Sequence, residues 1–236
     1  MVEASKKVYD FKVRPDDIWI MTFPKCGTTW TQVSLFHKGH RIGQLNFMSF
    51  AHIQELVWQI VNFDFEKARK VSLYERSPFL EIQGLASNDM LQSRAESKGV
   101  TLDDDKMKEI ASIWTKSIEI AENTPSPRVI KTHLPLEMLP PNLLDTCKVI
   151  FVCRNPKDAC VSFYNHFLTL PEYKMKGSFA DFAALYMEGQ VEFGNYWTML
   201  KVIQTVIFRY LNIIIEVFVS ECMEVQRSPQ HESDVV

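Results

Sequence analysis

The stretch Asp17–Gln32, DIWIMTFPKCGTTWTQ, restricts this chain to few folds. Ile18, Trp19, Ile20, Met21 and Phe23 form a short apolar run, the pattern of a strand covered on both faces. Pro24 ends the run, and from Thr28 onward Trp30, Val33, Leu35 and Phe36 recur at helical spacing. A strand, a turn holding Gly27 and a helix together aim backbone N–H groups and the positive end of a helix dipole at one point, which favours an anion. Lys25 adds a point charge, and Thr28 and Thr29 add hydroxyl donors, so the loop suits a phosphate. Its lysine precedes its glycine, so it is not the GxxxxGK[ST] loop of nucleoside triphosphatases. Taken alone, KCGTT reads equally as a helix cap beside a solvated lysine.

The remaining pattern supplies more strands and helices. Two further strands are expected, RVIKT at Arg128–Thr132 and KVIFVCR at Lys148–Arg154. A helix is expected over 49–70 and an amphipathic one over 105–122, where Ile110, Trp114 and Ile118 repeat every four residues. Residues 87–105 read as a polar surface loop ending in a helix cap at Asp103 or Asp104, and residues 1–16 as a polar, turn-like lead into the first strand. After RNPKD a helix should start with Pro156 in its first turn. Alternating strands and helices argue for an α/β fold, a P-loop-like parallel sheet flanked by helices. Ligands of such sheets bind beyond the carboxyl ends of the strands.

Composition excludes some partners. The formal net charge of -3 argues against a general binder of nucleic acid or anionic membrane. The five cysteines (26, 147, 153, 160 and 222) show no CxxC pair and no zinc spacing, so free thiols in a reducing compartment and no metal site are expected. The N-terminus lacks an apolar signal segment, and a cytoplasmic location is expected. Residues 202–219 are strongly apolar but carry Arg209, Asn212 and Glu216. Each charge would cost roughly 2.5–3.5 kcal/mol at the centre of a membrane helix, so a buried helix or strand is expected instead of a span.

Four ordered blocks carry a family resemblance: RPDDIWIMTFPKCGTTW, RSPFLE, SPRVIKTHLPLEMLP and VIFVCRNPKDACVSFYNHF. Through them the chain resembles the cytosolic sulfotransferases over most of residues 8–200. The resemblance implies the donor 3′-phosphoadenosine 5′-phosphosulfate and no metal. Lys25, Cys26, Gly27, Thr28 and Thr29 would hold its 5′-phosphosulfate end, Cys26 through its backbone N–H, and Trp30 would lie against the adenine. Arg154 and Ser162 would bind the 3′-phosphate, a role suited to the paired donors of a guanidinium.

It further implies in-line transfer of a sulfuryl group to a hydroxyl or amine of a small aromatic or alcohol acceptor. His133 would be the general base, and Lys25 and Lys131 would stabilise developing charge. Ser162 would restrain Lys25 until the acceptor binds. Phe79 matches an acceptor-lining position, with Phe23 and Tyr164 as weaker candidates that core packing would explain equally well. His166 falls near the expected acceptor mouth. Two units are expected: a partial sulfotransferase domain over 1–200 and a divergent tail over 201–236. The family's later RKG and GDW segments and its dimer motif are not found, so the C-terminal part of the fold is expected to be missing and dimerisation stays open. A shortened form without activity, or with a regulatory role, is the alternative to a working enzyme. A P-loop nucleotide kinase is disfavoured by the loop order.

Overall fold

The computed structural model describes residues 2–26, 52–97, 99–170 and 173–207. In chain order come α1 (Val2–Tyr9), β1 (Ile18–Thr22), α2 (His52–Asn62), α3 (Phe65–Lys70), α4 (Leu73–Arg76) and α5 (Ile82–Leu85). There follow α6 (Asn88–Ser97), α7 (Asp105–Thr115), α8 (Ser117–Asn123), β2 (Val129–Thr132), a 3-10 turn at Leu136–Met138, α9 (Leu143–Thr146) and β3 (Lys148–Val152). The last described elements are α10 (Pro156–Thr169), α11 (Phe179–Glu188) and α12 (Tyr196–Ile207).

The three strands form a parallel sheet in the order β2–β1–β3. In the central strand, Trp19 lies opposite Ile130 and Val149, and Ile20 opposite Lys131 and Ile150. Successive side chains of a strand point to opposite faces, and the core divides accordingly. Trp19, Met21, Phe23, Ile130, Val149 and Phe151 share one apolar cluster, while Ile20, Val129 and Val152 share another with Trp58 of α2. A sheet buried on both faces needs the continuous apolar runs seen in the sequence.

A buried ion pair fixes where β1 and β2 begin. Asp17 accepts from Arg128 Nε at 2.7 Å and from Nη2 at 2.5 Å, with side chains 0% and 1% exposed. The guanidinium also donates to the carbonyls of Ala121 and Lys12 and lies over the Phe11 ring at 4.9 Å. Asp17 accepts in addition from the Arg14 backbone at 2.7 Å.

Several local expectations change. The 49–70 helix is broken: α2 ends at Asn62, Phe63 takes φ 50°, and Asp64 caps α3 by accepting from Lys67 N–H. Residues 49–51 lie outside the described ones. The 105–122 helix breaks at Lys116, because the buried Ser117 hydroxyl turns inward to donate to Leu80 O at 2.8 Å. The 87–105 stretch is not all loop, since α6 buries Leu91 and Ala95, four residues apart. Residues 1–16 hold α1, anchored by the fully buried Val8. Asp104 caps α7 as expected, and Asn155 caps α10 with Pro156 in its first turn. Gly189 closes α11 at φ 74°, where an added Cβ would meet Asn195 Cβ at 2.6 Å. Helix α12 runs unbroken past Leu200. Among the described residues no helix is long and apolar enough to cross a membrane.

Candidate active site

The carboxyl ends of the three strands carry the candidate residues. Beyond β1 the chain turns sharply, with the Cys26 amide donating to Phe23 O at 3.3 Å. Lys25 inside this turn takes φ 65°, a left-handed conformation rare for a residue with a Cβ. Burial, and then the Arg154 charge, lower the Lys25 ammonium from its ordinary value. The Cys26 amide was expected to face an anion, but here it is committed to the turn. Its buried thiol is pushed far above the ordinary range by burial and by Cys153. Gly27, Thr28, Thr29 and Trp30 lie outside the described residues.

Beyond β2, His133 is buried and its Nδ1 lies 2.7 Å from Thr22 O. A carbonyl only accepts, so Nδ1 carries the proton and Nε2 keeps its lone pair. Burial, followed by the Lys131 charge, holds this imidazole well below its ordinary value, so it stays neutral. The ring is wedged between Phe79 at 5.0 Å and Phe193 at 5.4 Å, both edge-on. Lys131 Nζ sits 4.4 Å over the Phe79 ring. Burial lowers the Lys131 ammonium, opposed by Glu81 and reinforced by Lys25.

Beyond β3, Arg154 is buried and donates from Nη1 to Lys25 O at 3.2 Å. Its Nε has no hydrogen-bond partner among the described residues. The Arg154 carbonyl accepts from the Tyr196 hydroxyl at 2.5 Å, which ties α12 to this corner. An orphaned buried N–H is uncommon and marks a place where an acceptor is missing.

Lys25, Phe79, Lys131 and His133 all line one cavity of about 1240 Å³. Tyr74, Ile113, Trp114, Phe163 and Phe193 add an apolar wall to it. Ligand pockets are typically about 300–1,000 Å³, so the space suffices for a small organic molecule. His166 also faces this cavity, and burial, then Lys25, Arg94 and Lys131, lower it to about 4.

Two acceptor candidates are corrected. Phe23 is 1% exposed, with its ring edge-on to Phe163, Tyr186 and Tyr196, so it belongs to the core. Tyr164 packs against Phe179 and Phe182 and donates to Gly177 O at 3.2 Å, away from the cavity wall. Ser162 stands half-buried on α10 and does not line the cavity.

Residue-by-residue reading missed Glu81, Trp114 and Phe193 as site residues. Glu81 is buried, and its Oε1 accepts from the His133 backbone N–H. Burial raises its carboxyl above the ordinary range. An acid closing an apolar SPFLE run was the available signal, because a strand-like segment rarely buries a carboxylate without a partner. Among the described residues no group of His, Cys, Asp and Glu is placed to hold a metal ion.

A family model described as a sulfotransferase domain matches residues 15–215. Sulfotransferase 1 family member D1 of Mus musculus is 31% identical over 202 residues, covering 85% of this chain and 52% of that protein. Sulfotransferase 1E1 of Homo sapiens is 32% identical over 193 residues, covering 81% of this chain and 49% of that protein. The chain thus spans about half the length of the curated relatives it matches. Among solved structures, retinol dehydratase in complex with androsterone and the inactive cofactor PAP superposes with a TM-score of 0.70 at 22% identity, over 92% of this chain and 58% of that one. Mouse sulfotransferase SULT7A1 complexed with PAP superposes at 0.54 and 20% identity, over 92% of this chain and 56% of that one. These superpositions show a common fold. With a family match over most of its length and that fold, the chain belongs to the sulfotransferase family.

Proposed function

We propose that this protein moves a sulfuryl group from 3′-phosphoadenosine 5′-phosphosulfate to a hydroxyl of a small aromatic or alcohol acceptor. The observation that carries the reading is the His133 ring. Its Nδ1 is tied to Thr22 O, and its other nitrogen is left as a base in the cavity lined by Lys25 and Lys131. Donor and acceptor chemistry would meet where the strand ends converge. The fit to the donor rests on Arg154, whose buried Nε has no partner among the described residues beside the Lys25 turn. When bound, the donor supplies an activated sulfuryl group. In this reading Arg154 and Ser162 take its 3′-phosphate, and Lys25 with Gly27, Thr28, Thr29 and Trp30 takes the rest.

His133 accepts the acceptor's hydroxyl proton as the oxygen attacks. Lys25 and Lys131 are poorly hydrated cations, and their charges act at short range in a medium of low polarity. They are fixed before reaction, one on each neighbouring strand end, so little reorganisation is needed as charge develops. Phe79 orients an aromatic acceptor against the imidazole. The same reading gives a reducing, cytoplasmic setting, supported by cysteines 26, 147, 153 and 160, which form no disulfide.

Incubating the chain with labelled donor and a panel of phenols and alcohols tests this. Saturable label transfer is expected. ATP turnover in its place would favour a kinase, and undetectable nucleotide binding at millimolar donor would leave a non-catalytic family member. Arg154→Ala should weaken nucleotide binding, measured calorimetrically, by about 10- to 150-fold, the loss of one charge-assisted contact worth roughly 1.5–3 kcal/mol. Arg154→Lys should recover only part of it, because an ammonium lacks the guanidinium's paired donors. Unchanged affinity in both variants would remove Arg154 from the donor site.

A further inference from the structure

The segment before α5 runs beside β2 as an extra parallel edge. Lys131 N–H donates to Pro78 O at 2.9 Å, Leu80 N–H donates to Lys131 O at 3.2 Å, and Phe79 pairs with Lys131. Evenly spaced parallel bonding would bring the next amide, that of His133, to Leu80 O. That rung is replaced. Leu80 O accepts the Ser117 hydroxyl at 2.8 Å, and the His133 amide turns to the Glu81 carboxylate. Glu81 is 6% exposed, and its Oε2 has no hydrogen-bond partner among the described residues. A buried carboxyl with one oxygen on an amide keeps its charge most readily beside a positive charge. Lys131 supplies that charge, two residues before His133 on the adjoining strand.

We propose that Glu81 is a positioning residue of the transfer site: one carboxylate oxygen seats the His133 backbone, and its charge balances the Lys131 ammonium. The inference rests on the functional reading above, but its geometry and its test do not require turnover. Four titratable groups interact electrostatically with Lys131: Glu81 on the edge segment, Lys25 in the turn after β1, His133 at its own strand end, and His166 on α10. Glu81 is the one acid among them. Burial and Lys25 both drive Lys131 toward neutrality, and Glu81 opposes them. Without its charge, Lys131 would lose its proton at lower pH and cease to stabilise the sulfuryl oxygens.

Two variants of the full chain separate the two roles. Glu81→Gln keeps an acceptor oxygen for the His133 amide and removes the charge, whereas Glu81→Ala removes both. In nucleotide-free protein, the Lys131 titration can be followed by its side-chain NMR resonance or by acetylation rate against pH. Glu81→Gln should lower the Lys131 midpoint by about one pH unit, with faster acetylation below the wild-type midpoint. His133 amide exchange should stay slow in Glu81→Gln and rise in Glu81→Ala by about tenfold. If the protein transfers sulfuryl groups, the alkaline limb of its rate profile should move down in Glu81→Gln by the same interval. An unchanged Lys131 midpoint in Glu81→Gln would overturn the charge role. Equal His133 exchange in wild type and Glu81→Ala would overturn the seating role. Failure of transfer alone, with both shifts present, would count against the enzyme reading and support the positioning one.

Discussion

Replacing His133 by alanine will lower sulfuryl transfer by about 10²–10⁴-fold, the usual contribution of a positioned general base, and leave nucleotide binding essentially unchanged. The expectation follows from the ring's surroundings. Thr22 O fixes the tautomer at 2.7 Å, Phe79 and Phe193 clamp the faces, and Arg154 contacts the loop from a different strand end. Transfer rates and nucleotide affinity measured on one preparation give the comparison. A loss of affinity as large as the loss of rate would make His133 a structural or donor-binding residue.

The same burial has a pH consequence. The folded-state value of His133 lies well below 6.5, because burial and Lys131 disfavour the imidazolium. Above pH 6.5 both folded and unfolded chains carry a neutral ring, and no penalty exists. As pH falls below 6.5, the unfolded chain takes up a proton that the folded one refuses, so stability declines by up to about 1.4 kcal/mol per pH unit. His133→Phe should flatten that part of the urea-stability profile. Glu81 acts with the opposite sign, since its raised carboxyl protonates more readily folded than unfolded, which opposes the decline at acid pH. For that reason the comparison is made between variants at fixed pH and never against wild type at another pH.

Breaking the Asp17–Arg128 pair will be the most destabilising change outside the site. Asp17→Ala or Arg128→Ala should cost about 3–5 kcal/mol, because either leaves an unpartnered charge in a dry interior. Arg128 satisfies two carbonyls besides the carboxylate, and Asp17 also accepts from the Arg14 amide. The pair stands at the first residues of β1 and β2, where Ile18 N–H donates to Arg128 O at 2.8 Å. Its loss therefore loosens the register that brings Thr22 level with His133. Replacing both partners by apolar residues, Asp17→Leu with Arg128→Met, should cost less than either single change, since no charge is stranded. Urea midpoints at constant slope provide the test. Single-variant costs below about 1 kcal/mol would mean that water reaches the pair, as it does for exposed bridges.

What could be read from the residues, and what could not, divides by sequence distance. The strands were legible because a sheet buried on both faces needs short apolar runs, and IWIM, VI and VIFV supply them within the three strands. Lys25, Lys131, His133 and Arg154 were legible because each lies at, or within three residues of, the carboxyl end of a strand. Glu81 was not, because its bond to His133 spans 52 positions, and the Asp17–Arg128 bonds span 111. The breaks at Phe63 and Lys116 depend likewise on contacts made after folding, such as Ser117 with Leu80. For Phe23 core packing stood as the alternative to acceptor lining, and the sequence carried a signal for it. Phe23 shares strand parity with Trp19 and Met21, and all three fall in one core cluster.

The most direct test of the converging strand ends is the ¹⁵N spectrum of the His133 imidazole, taken alone, with 3′-phosphoadenosine 5′-phosphate, and with that nucleotide plus a phenol. The structure predicts a neutral ring protonated at Nδ1 that does not titrate near pH 6.5, and an Nε2 resonance that moves when the phenol joins the nucleotide. A ring protonated at Nε2, or a resonance indifferent to saturating nucleotide and phenol together, would contradict a shared site at the three strand ends.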